Sequence, residues 1–213
     1  MHVFVTGATG YIGSRLIPEL VARGHRVSAL ARQASVQRLA PACRVVVGDA
    51  LDASSYASQI GVVDALVHLV GVPHPSPAKA EAFRRIDLAS ARAALAAAVE
   101  AGVPHFVYLS VAQPAPVMRA YVAARAEGEA LIRASGIAAS VLRPWYVLGP
   151  GHHWPLLLLP AYRVLEFLPG TRDAARRLGL VSVGQMVAAI VRAVESPPSG
   201  VRLWGVPEIR SPG

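Results

Sequence analysis

The stretch that decides the fold is His2-Val3-Phe4-Val5-Thr6-Gly7-Ala8-Thr9-Gly10-Tyr11-Ile12-Gly13. Apolar residues 2–5 predict a strand, and residues 12–23 predict the helix that follows it. The glycines between them follow the spacing Gly7-x-x-Gly10-x-x-Gly13. Such glycines permit a tight turn, close approach of a pyrophosphate and close helix–strand packing, and the helix N-terminus attracts the phosphate charge. The order of these elements favours a dinucleotide-binding turn over a glycine-rich turn without a ligand.

The rest of the chain repeats the pattern of apolar strand, turn and helix. Further strands are predicted at 26–30, 44–47, 62–70, 105–109 and 139–142, and further helices at 83–100 and 121–135. Repeated β-α-β units imply an α/β fold: a Rossmann-type doubly wound parallel sheet with helices on both faces. We expect a core over residues 1–150 and a short C-terminal segment over 151–213, packed on the same domain as a minimal substrate region. Proline clusters at 73–77 and 114–116 mark loops where ligands bind in this architecture.

The end of the second predicted strand indicates which dinucleotide is bound. A site for NAD(H) places an acidic residue there to bind the ribose hydroxyls, but this chain has Ala31 followed by Arg32. A guanidinium can pair with a 2′-phosphate, so NADP(H) is favoured and NAD(H) stays open. The alternative is that Arg32 is a solvated loop residue. Asp49, after the third strand, could accept from an adenine amino group or cap the next helix.

Composition restricts the remaining classes of function. Hydrophobic residues make up 54% of the chain, charged residues 16%, and the net charge is +8. The basic excess is either a compositional habit of the source genome or a field that attracts phosphorylated ligands. The arginines are scattered without aromatic interleaving, which disfavours nucleic-acid binding. One cysteine, Cys43, excludes an intramolecular disulfide and a multi-cysteine zinc site, and the start of the sequence on a strand predicts a cytoplasmic protein.

Several segments together resemble the short-chain dehydrogenase/reductase superfamily in its extended and atypical branches, nearest to NmrA-like proteins and nucleoside-diphosphate-sugar epimerase relatives. The resemblance covers nearly the whole chain and is specific for the superfamily, not for a substrate. The segments that carry it are Val5 to Gly13, Gly48-Asp49, Ala101 to Val103, Tyr108 to Ser110, Ser135 to Ile137, Leu142 to Pro144 and Val147 to Gly151.

The resemblance implies a catalytic set of Ser or Thr, Tyr, and a Lys four residues after the Tyr. The tyrosine exchanges a proton with the substrate oxygen, and the lysine binds the nicotinamide ribose and lowers the pKa of the tyrosine. Tyr121 occupies the tyrosine position, but Arg125 replaces the lysine and Ser110 is followed by Val111. Four residues on, Arg125 shares a helix face with Tyr121 and can still reach the ribose, although it cannot pass a proton along. Ser110 could serve as the hydroxyl or only bond to nearby backbone.

Two classes of function follow from this resemblance. The first is an NADP(H)-binding oxidoreductase acting on a small or apolar carbonyl or alcohol. The second is a non-catalytic dinucleotide sensor or assembly subunit, and a sugar-nucleotide epimerase is disfavoured by the short substrate region. The cofactor-binding residues expected in either class are Gly7, Thr9, Gly10, Tyr11, Ile12, Gly13, Arg32, Asp49, Ala50, Leu69, Val70, Gly71, Ser110, Tyr121, Arg125, Pro144, Trp145, Tyr146 and Val147.

The C-terminal part carries weaker signals. Adjacent His152 and His153 lack a third spaced ligand, so a polar loop is favoured over a metal site and no metal is expected. The apolar run over 154–169 has three interpretations: ordinary core, a substrate lid or dimer surface, or a membrane-contacting helix. Core is favoured and membrane contact is the least favoured, with a monomer or homodimer expected. Gln185 occupies a position where the family has an Asp that fixes local structure.

Overall fold

Seven parallel strands form the central sheet of the computed structural model, which describes residues 1–151 and 177–211. Their order across the sheet is β3-β2-β1-β4-β5-β6-β9. The strands are β1 (His2–Thr6), β2 (Arg26–Ala31), β3 (Arg44–Val47), β4 (Ala65–His68), β5 (His105–Leu109), β6 (Ala138–Leu142) and β9 (Val201–Trp204). The strand order reverses between β1 and β4, and a crevice at such a point is where ligands bind in doubly wound folds.

Helices cover both faces of the sheet because side chains alternate along its buried strands. Val3 and Val5 face one core with α1 and α6, whereas Phe4 faces the other with α2, α4 and part of α5. The helices are α1 (Gly13–Ala22), α2 (Ala57–Ile60), α3 (Ala80–Ala82), α4 (Ala89–Glu100), α5 (Arg119–Ser135), α6 (Val183–Glu195) and α7 (Val206–Arg210). The predicted α/β doubly wound fold is confirmed.

Short elements complete the layout. Single 3-10 turns span Gln33–Arg38, Ala53–Ser55 and Pro77–Lys79, and a π-helical turn, Phe83–Leu88, joins α3 to α4. A two-stranded parallel ribbon pairs β7 (Tyr146–Leu148) with β8 (Leu180–Ser182). None of the helices within 1–151 and 177–211 combines the length and apolar character needed to cross a bilayer.

The structure corrects the sequence analysis at two strands. The fourth strand was expected over 62–70 but spans only Ala65–His68, and Val62 is 93% exposed. The backbone turns before it, where the Asp64 carboxylate accepts from the His2 amide at 2.6 Å. Strand β9 was not predicted, because the exposed side chains of its first three residues break the apolar pattern of a buried strand. It pairs with β6, so residues after 177 extend the main sheet.

Candidate functional site

The glycine turn connects β1 to α1 in a conformation that excludes side chains. Gly7 has a φ of +73°, and a Cβ there would lie 2.7 Å from the Leu69 carbonyl carbon on the neighbouring β4 segment. A Cβ on Gly13 would collide with the Gly7 carbonyl oxygen. The Gly10 amide donates to that same oxygen at 3.0 Å, which closes the turn. The turn therefore lies against β4 and leaves its outer backbone free of side-chain bulk.

A cleft of about 340 Å³ opens beside this turn, at the carboxyl ends of the first four strands. It lies where the strand order reverses. Nine residues expected to bind a cofactor line it: Gly7, Thr9, Gly10, Arg32, Asp49, Ala50, Leu69, Val70 and Gly71. Ser35, Pro73 and Ile86 also line the cleft and were not predicted. Pro73 belongs to the predicted proline loop, but no local pattern could place Ile86, which arrives on the π-helical turn.

The rim of the cleft beyond β2 carries two exposed arginines. Arg32 lines the cleft directly after the strand and precedes the 3-10 turn that contains Ser35. The Arg38 guanidinium donates to the Thr9 carbonyl at 3.2 Å, so it lies over the glycine turn. Asp49 accepts from the Leu51 amide at 3.0 Å, whereas Asp52 caps the following 3-10 turn. The capping role considered for Asp49 thus belongs to Asp52.

At the opposite rim of the cleft, the chain's single lysine, Lys79, binds the loop at residues 73–74. Lys79 donates to the carbonyls of Pro73 and His74, at 2.6 and 2.9 Å. His74 has a φ of +48°, a left-handed conformation that is uncommon for residues other than glycine. The lysine therefore fastens the loop whose Pro73 lines the cleft.

The predicted catalytic residues lie beyond this cleft, around β5 and α5. The Tyr121 ring is half-buried and packs against Phe83, with ring centroids 5.0 Å apart. Val72 and Met118 pack on the same small apolar cluster, which is formed by Phe83, Leu88 and Ala124. The Arg125 guanidinium carbon lies 5.4 Å from the centre of the Tyr121 ring. The structure thus brings Tyr121 and Arg125 together in an apolar environment.

Arg125 is enclosed by protein groups. Its guanidinium forms an ion pair with Asp87 at 2.6 Å, and the two side chains are 4% and 0% exposed. Burial on its own would lower the pKa of Arg125, but electrostatic interactions with Tyr121, Tyr108 and Asp87 outweigh it and raise that pKa, so the guanidinium stays protonated. Burial raises the pKa of Asp87, and the neighbouring guanidinium opposes this effect. Asp87 was not predicted, because only the fold brings it beside Arg125.

Ser110 belongs to a different buried network, which is centred on Glu129. Its hydroxyl donates to the Glu129 carboxylate at 2.6 Å. Arg143 and Arg133 also bind Glu129. Burial acts to raise the pKa of Glu129, but the hydrogen bonds from Arg143 and Ser110 outweigh it and lower that pKa. Ser110 is 2% exposed, and Val111 beside it is equally buried.

The remaining predicted residues surround the turn and the end of β6. Ile12 precedes α1 and packs on the core, and Tyr11 lies against Gly149, where a Cβ would collide with the Tyr11 hydroxyl. Trp145 and Tyr146 pack edge to face, 5.5 Å between centroids. Buried Pro144 precedes them, and Val147 continues into β7 and packs on the core. These residues lie outside the lining of the 340 Å³ cleft.

Within 1–151 and 177–211, no group of three or more potential metal ligands is present. His152, His153 and the apolar run over 154–169 lie outside the described residues.

The chain is similar to proteins that bind nicotinamide dinucleotides. A family described as NAD(P)H-binding matches residues 7–151. A 3-diazoavenalumate denitrifying reductase from Streptomyces is 35% identical over 94% of this chain and 74% of its own length. A ceramide reductase from Caulobacter vibrioides is 29% identical over 93% of this chain, which spans 62% of that relative.

Solved structures share the fold. A dTDP-glucose 4,6-dehydratase from Streptomyces venezuelae, with NAD bound, superposes with a TM-score of 0.71 at 24% identity, over 96% of this chain and 76% of that one. A UDP-glucose 4-epimerase from Thermus thermophilus, also with NAD, gives 0.70 at 21% identity, over 96% and 78%.

Proposed function

Because the chain belongs to the NAD(P)H-binding family that matches residues 7–151, we propose that it is an NADPH-dependent reductase of apolar carbonyl compounds. The observation that carries this proposal is the cleft beside the glycine turn. Side chains on Gly7 or Gly13 would collide with backbone, and the cleft lies at the strand-order reversal. These features fit a dinucleotide whose pyrophosphate lies on the turn. NAD(P)-binding and an oxidoreductase-like character are common to its relatives.

NADPH is favoured by the charges around β2. Arg32 and Ser35 line the cleft there, and Arg38 lies nearby over Thr9. A 2′-phosphate would receive charge-assisted hydrogen bonds from such groups. The acidic residue that lines the cleft, Asp49, follows β3 instead.

In the proposed reaction a bound nicotinamide supplies the hydride. Tyr121 donates its phenolic proton to the carbonyl oxygen as that oxygen becomes an alcohol. Arg125 provides a permanent positive charge beside the ring of Tyr121, which stabilises the phenolate left behind. We assign no role on the substrate to Ser110, because its hydroxyl is committed to Glu129. The apolar cluster at Phe83, on which Tyr121, Val72 and Met118 all pack, favours an apolar substrate.

The cofactor assignment predicts that wild type binds NADPH more tightly than NADH. Arg32→Ala should weaken NADPH binding about 10- to 100-fold and leave NADH binding nearly unchanged, since a charged hydrogen bond is worth about 1.5–3 kcal/mol. Titration of nicotinamide fluorescence measures both affinities. Arg26→Ala is the matched control, because Arg26 is exposed at the opposite end of the same strand. Equal affinities of wild type for the two nucleotides would contradict the assignment.

The chemistry is tested with a panel of aliphatic and aromatic aldehydes and ketones, scored by loss of NADPH absorbance. Tyr121→Phe should reduce turnover at least about 100-fold while retaining NADPH binding, since general acid catalysis contributes about 10²–10⁴. Tyr56→Phe removes a hydroxyl buried in the core beside Phe4, outside the cleft lining, and should leave turnover unchanged. A wild type that binds NADPH but reduces none of the panel would favour the sensor hypothesis.

A further inference from the structure

The buried ion pair of Asp87 and Arg125 connects separate parts of the fold. Asp87 lies on the π-helical turn and Arg125 one turn after Tyr121 on α5, so the pair joins two helical segments. Their closest atoms, Asp87 Oδ1 and Arg125 Nη2, are 2.6 Å apart. Three further polar contacts of the pair run to backbone at the carboxyl ends of β4 and β5.

Three backbone groups receive these contacts. Asp87 Oδ2 accepts from the Val72 amide at 3.0 Å. Arg125 Nη2 donates to the Val70 carbonyl at 3.3 Å, and Nη1 donates to the Leu109 carbonyl at 2.7 Å. The pair therefore binds both ends of the segment Val70–Gly71–Val72 and connects this segment to the end of β5.

Gly71 shows how closely the segment lies on the pair. A Cβ built there would collide with Arg125 Nη2 and lie 3.2 Å from Asp87 Oδ1. It would therefore point toward the ion pair. Val70 and Gly71 also line the cleft, so the pair lies one layer beneath the cleft wall.

We propose that Asp87 and Arg125 are positioning residues for the dinucleotide, acting as a clamp that holds the Val70–Val72 backbone against the cofactor. The inference rests on the proposed function, because it assumes that a dinucleotide occupies the cleft. It assigns a role to Asp87, and it gives Arg125 a reason to be an arginine. A lysine has no planar fork with which to bind Val70, Leu109 and Asp87 together.

If the pair positions the cofactor, its removal should weaken NADPH binding even where stability is restored. Removal of a purely structural ion pair would not have this effect. Removing one partner leaves a buried charge unpaired and destabilises a fold, whereas replacing both by apolar residues of similar size is often neutral. Asp87→Leu/Arg125→Met should therefore regain stability that Asp87→Asn loses. It cannot regain the hydrogen bonds to Val70, Val72 and Leu109.

The experiment measures NADPH affinity by fluorescence and the thermal midpoint of each full-length variant. We expect Asp87→Asn to weaken NADPH binding about tenfold or more. The double variant should melt within about 4 °C of wild type and still bind at least about tenfold more weakly. Glu129→Gln is the matched control: Glu129 is a buried carboxylate with two arginine partners, on α5. It should lower the melting temperature and leave NADPH affinity within about twofold.

A double variant with wild-type affinity would overturn the clamp, as would a loss of affinity in Glu129→Gln equal to that in Asp87→Asn. Hydrogen exchange separates this inference from the proposed function. In the ligand-free protein, Asp87→Asn should accelerate exchange of the Val72 amide, and Glu129→Gln should not. If wild type binds neither NADPH nor NADH while Val72 still responds, the cofactor proposal fails and the backbone clamp stands. An unchanged Val72 exchange rate refutes the clamp.

Discussion

The absence of a Cβ at Gly128 sets how closely α5 packs on the sheet. A Cβ on Gly128 would lie 2.6 Å from the Tyr108 hydroxyl oxygen, so the glycine allows the helix to pack on β5. The glycines of the nucleotide turn were predictable because their spacing and their place after a strand are a recognisable pattern. Gly128 and Asp87 were not, since their roles depend on neighbours that only the fold brings close.

Gly128→Ala is expected to destabilise the protein by about 1–3 kcal/mol, because overpacking outweighs the gain in helix propensity of about 1 kcal/mol. Tyr108→Phe removes the clashing hydroxyl, so the double variant should recover most of the lost stability. Urea unfolding followed by circular dichroism gives the free energies of unfolding. Gly200→Ala, where an added Cβ meets nothing within 4 Å, is the control. Additive losses in the double variant would refute the steric explanation.

Helix termini show what local sequence can and cannot predict. Ser182 begins α6 with a capping box: its hydroxyl accepts from the Gln185 amide at 3.1 Å, and the Gln185 side chain accepts from the Ser182 amide at 2.9 Å. The resemblance places Gln185 where the family has an Asp that fixes local structure, and Gln185 forms a local capping contact there. By contrast, the π-helical turn over 83–88 was predicted as ordinary helix, because its residues carry no periodicity that separates the two forms.

Removal of the cap should weaken the fold by a measurable amount. Ser182→Ala is expected to lower the free energy of unfolding by about 1 kcal/mol, since the Gln185 backbone amide loses its partner. Gln185→Glu preserves an acceptor and should change stability by less than about 0.5 kcal/mol. Ser196→Ala, at the exposed C-terminal end of the same helix, controls for loss of a serine hydroxyl. Chemical denaturation at neutral pH measures all three.

Two histidines in the core of the molecule remain neutral, and they make its stability depend on pH. His68 lies between the hydroxyls of Thr6 and Ser90, at 2.8 and 3.3 Å, and thereby links β1, β4 and α4. His105 lies 3.1 Å from the Ser140 hydroxyl across β5 and β6. Burial lowers the pKa of His68 to about 3 and that of His105 to about 4.

Acid should therefore destabilise the protein progressively. In the unfolded chain the pKa of histidine is about 6.5, so below that pH the unfolded state binds protons that the native state does not. The stabilisation is complete above the unfolded value and is lost as the pH falls toward the two folded values. Each histidine contributes a slope of at most about 1.4 kcal/mol per pH unit. Unfolding free energies measured from neutral to mildly acidic pH should show it, with a smaller slope in His105→Asn. A wild-type slope equal to that of His105→Asn would contradict the assignment to His105.

At the scale of the whole molecule, the sheet, its parallel strands and the end at which the cleft opens were predictable, because buried apolar strands alternate with helices. The edge strand β9 and the exact end of β4 were not, since tertiary pairing and not local pattern sets them.

The tie between Lys79 and the loop at Pro73 and His74 has a practical consequence. The chain contains no other lysine, so an amine-reactive reagent has one side-chain target besides the α-amino group. That target lies beside the rim of the dinucleotide cleft, since Pro73 lines the cleft. A fluorophore coupled there would report on occupancy without an engineered attachment point. Immobilisation through amines would instead fix the protein to a surface by the edge of its own ligand cleft.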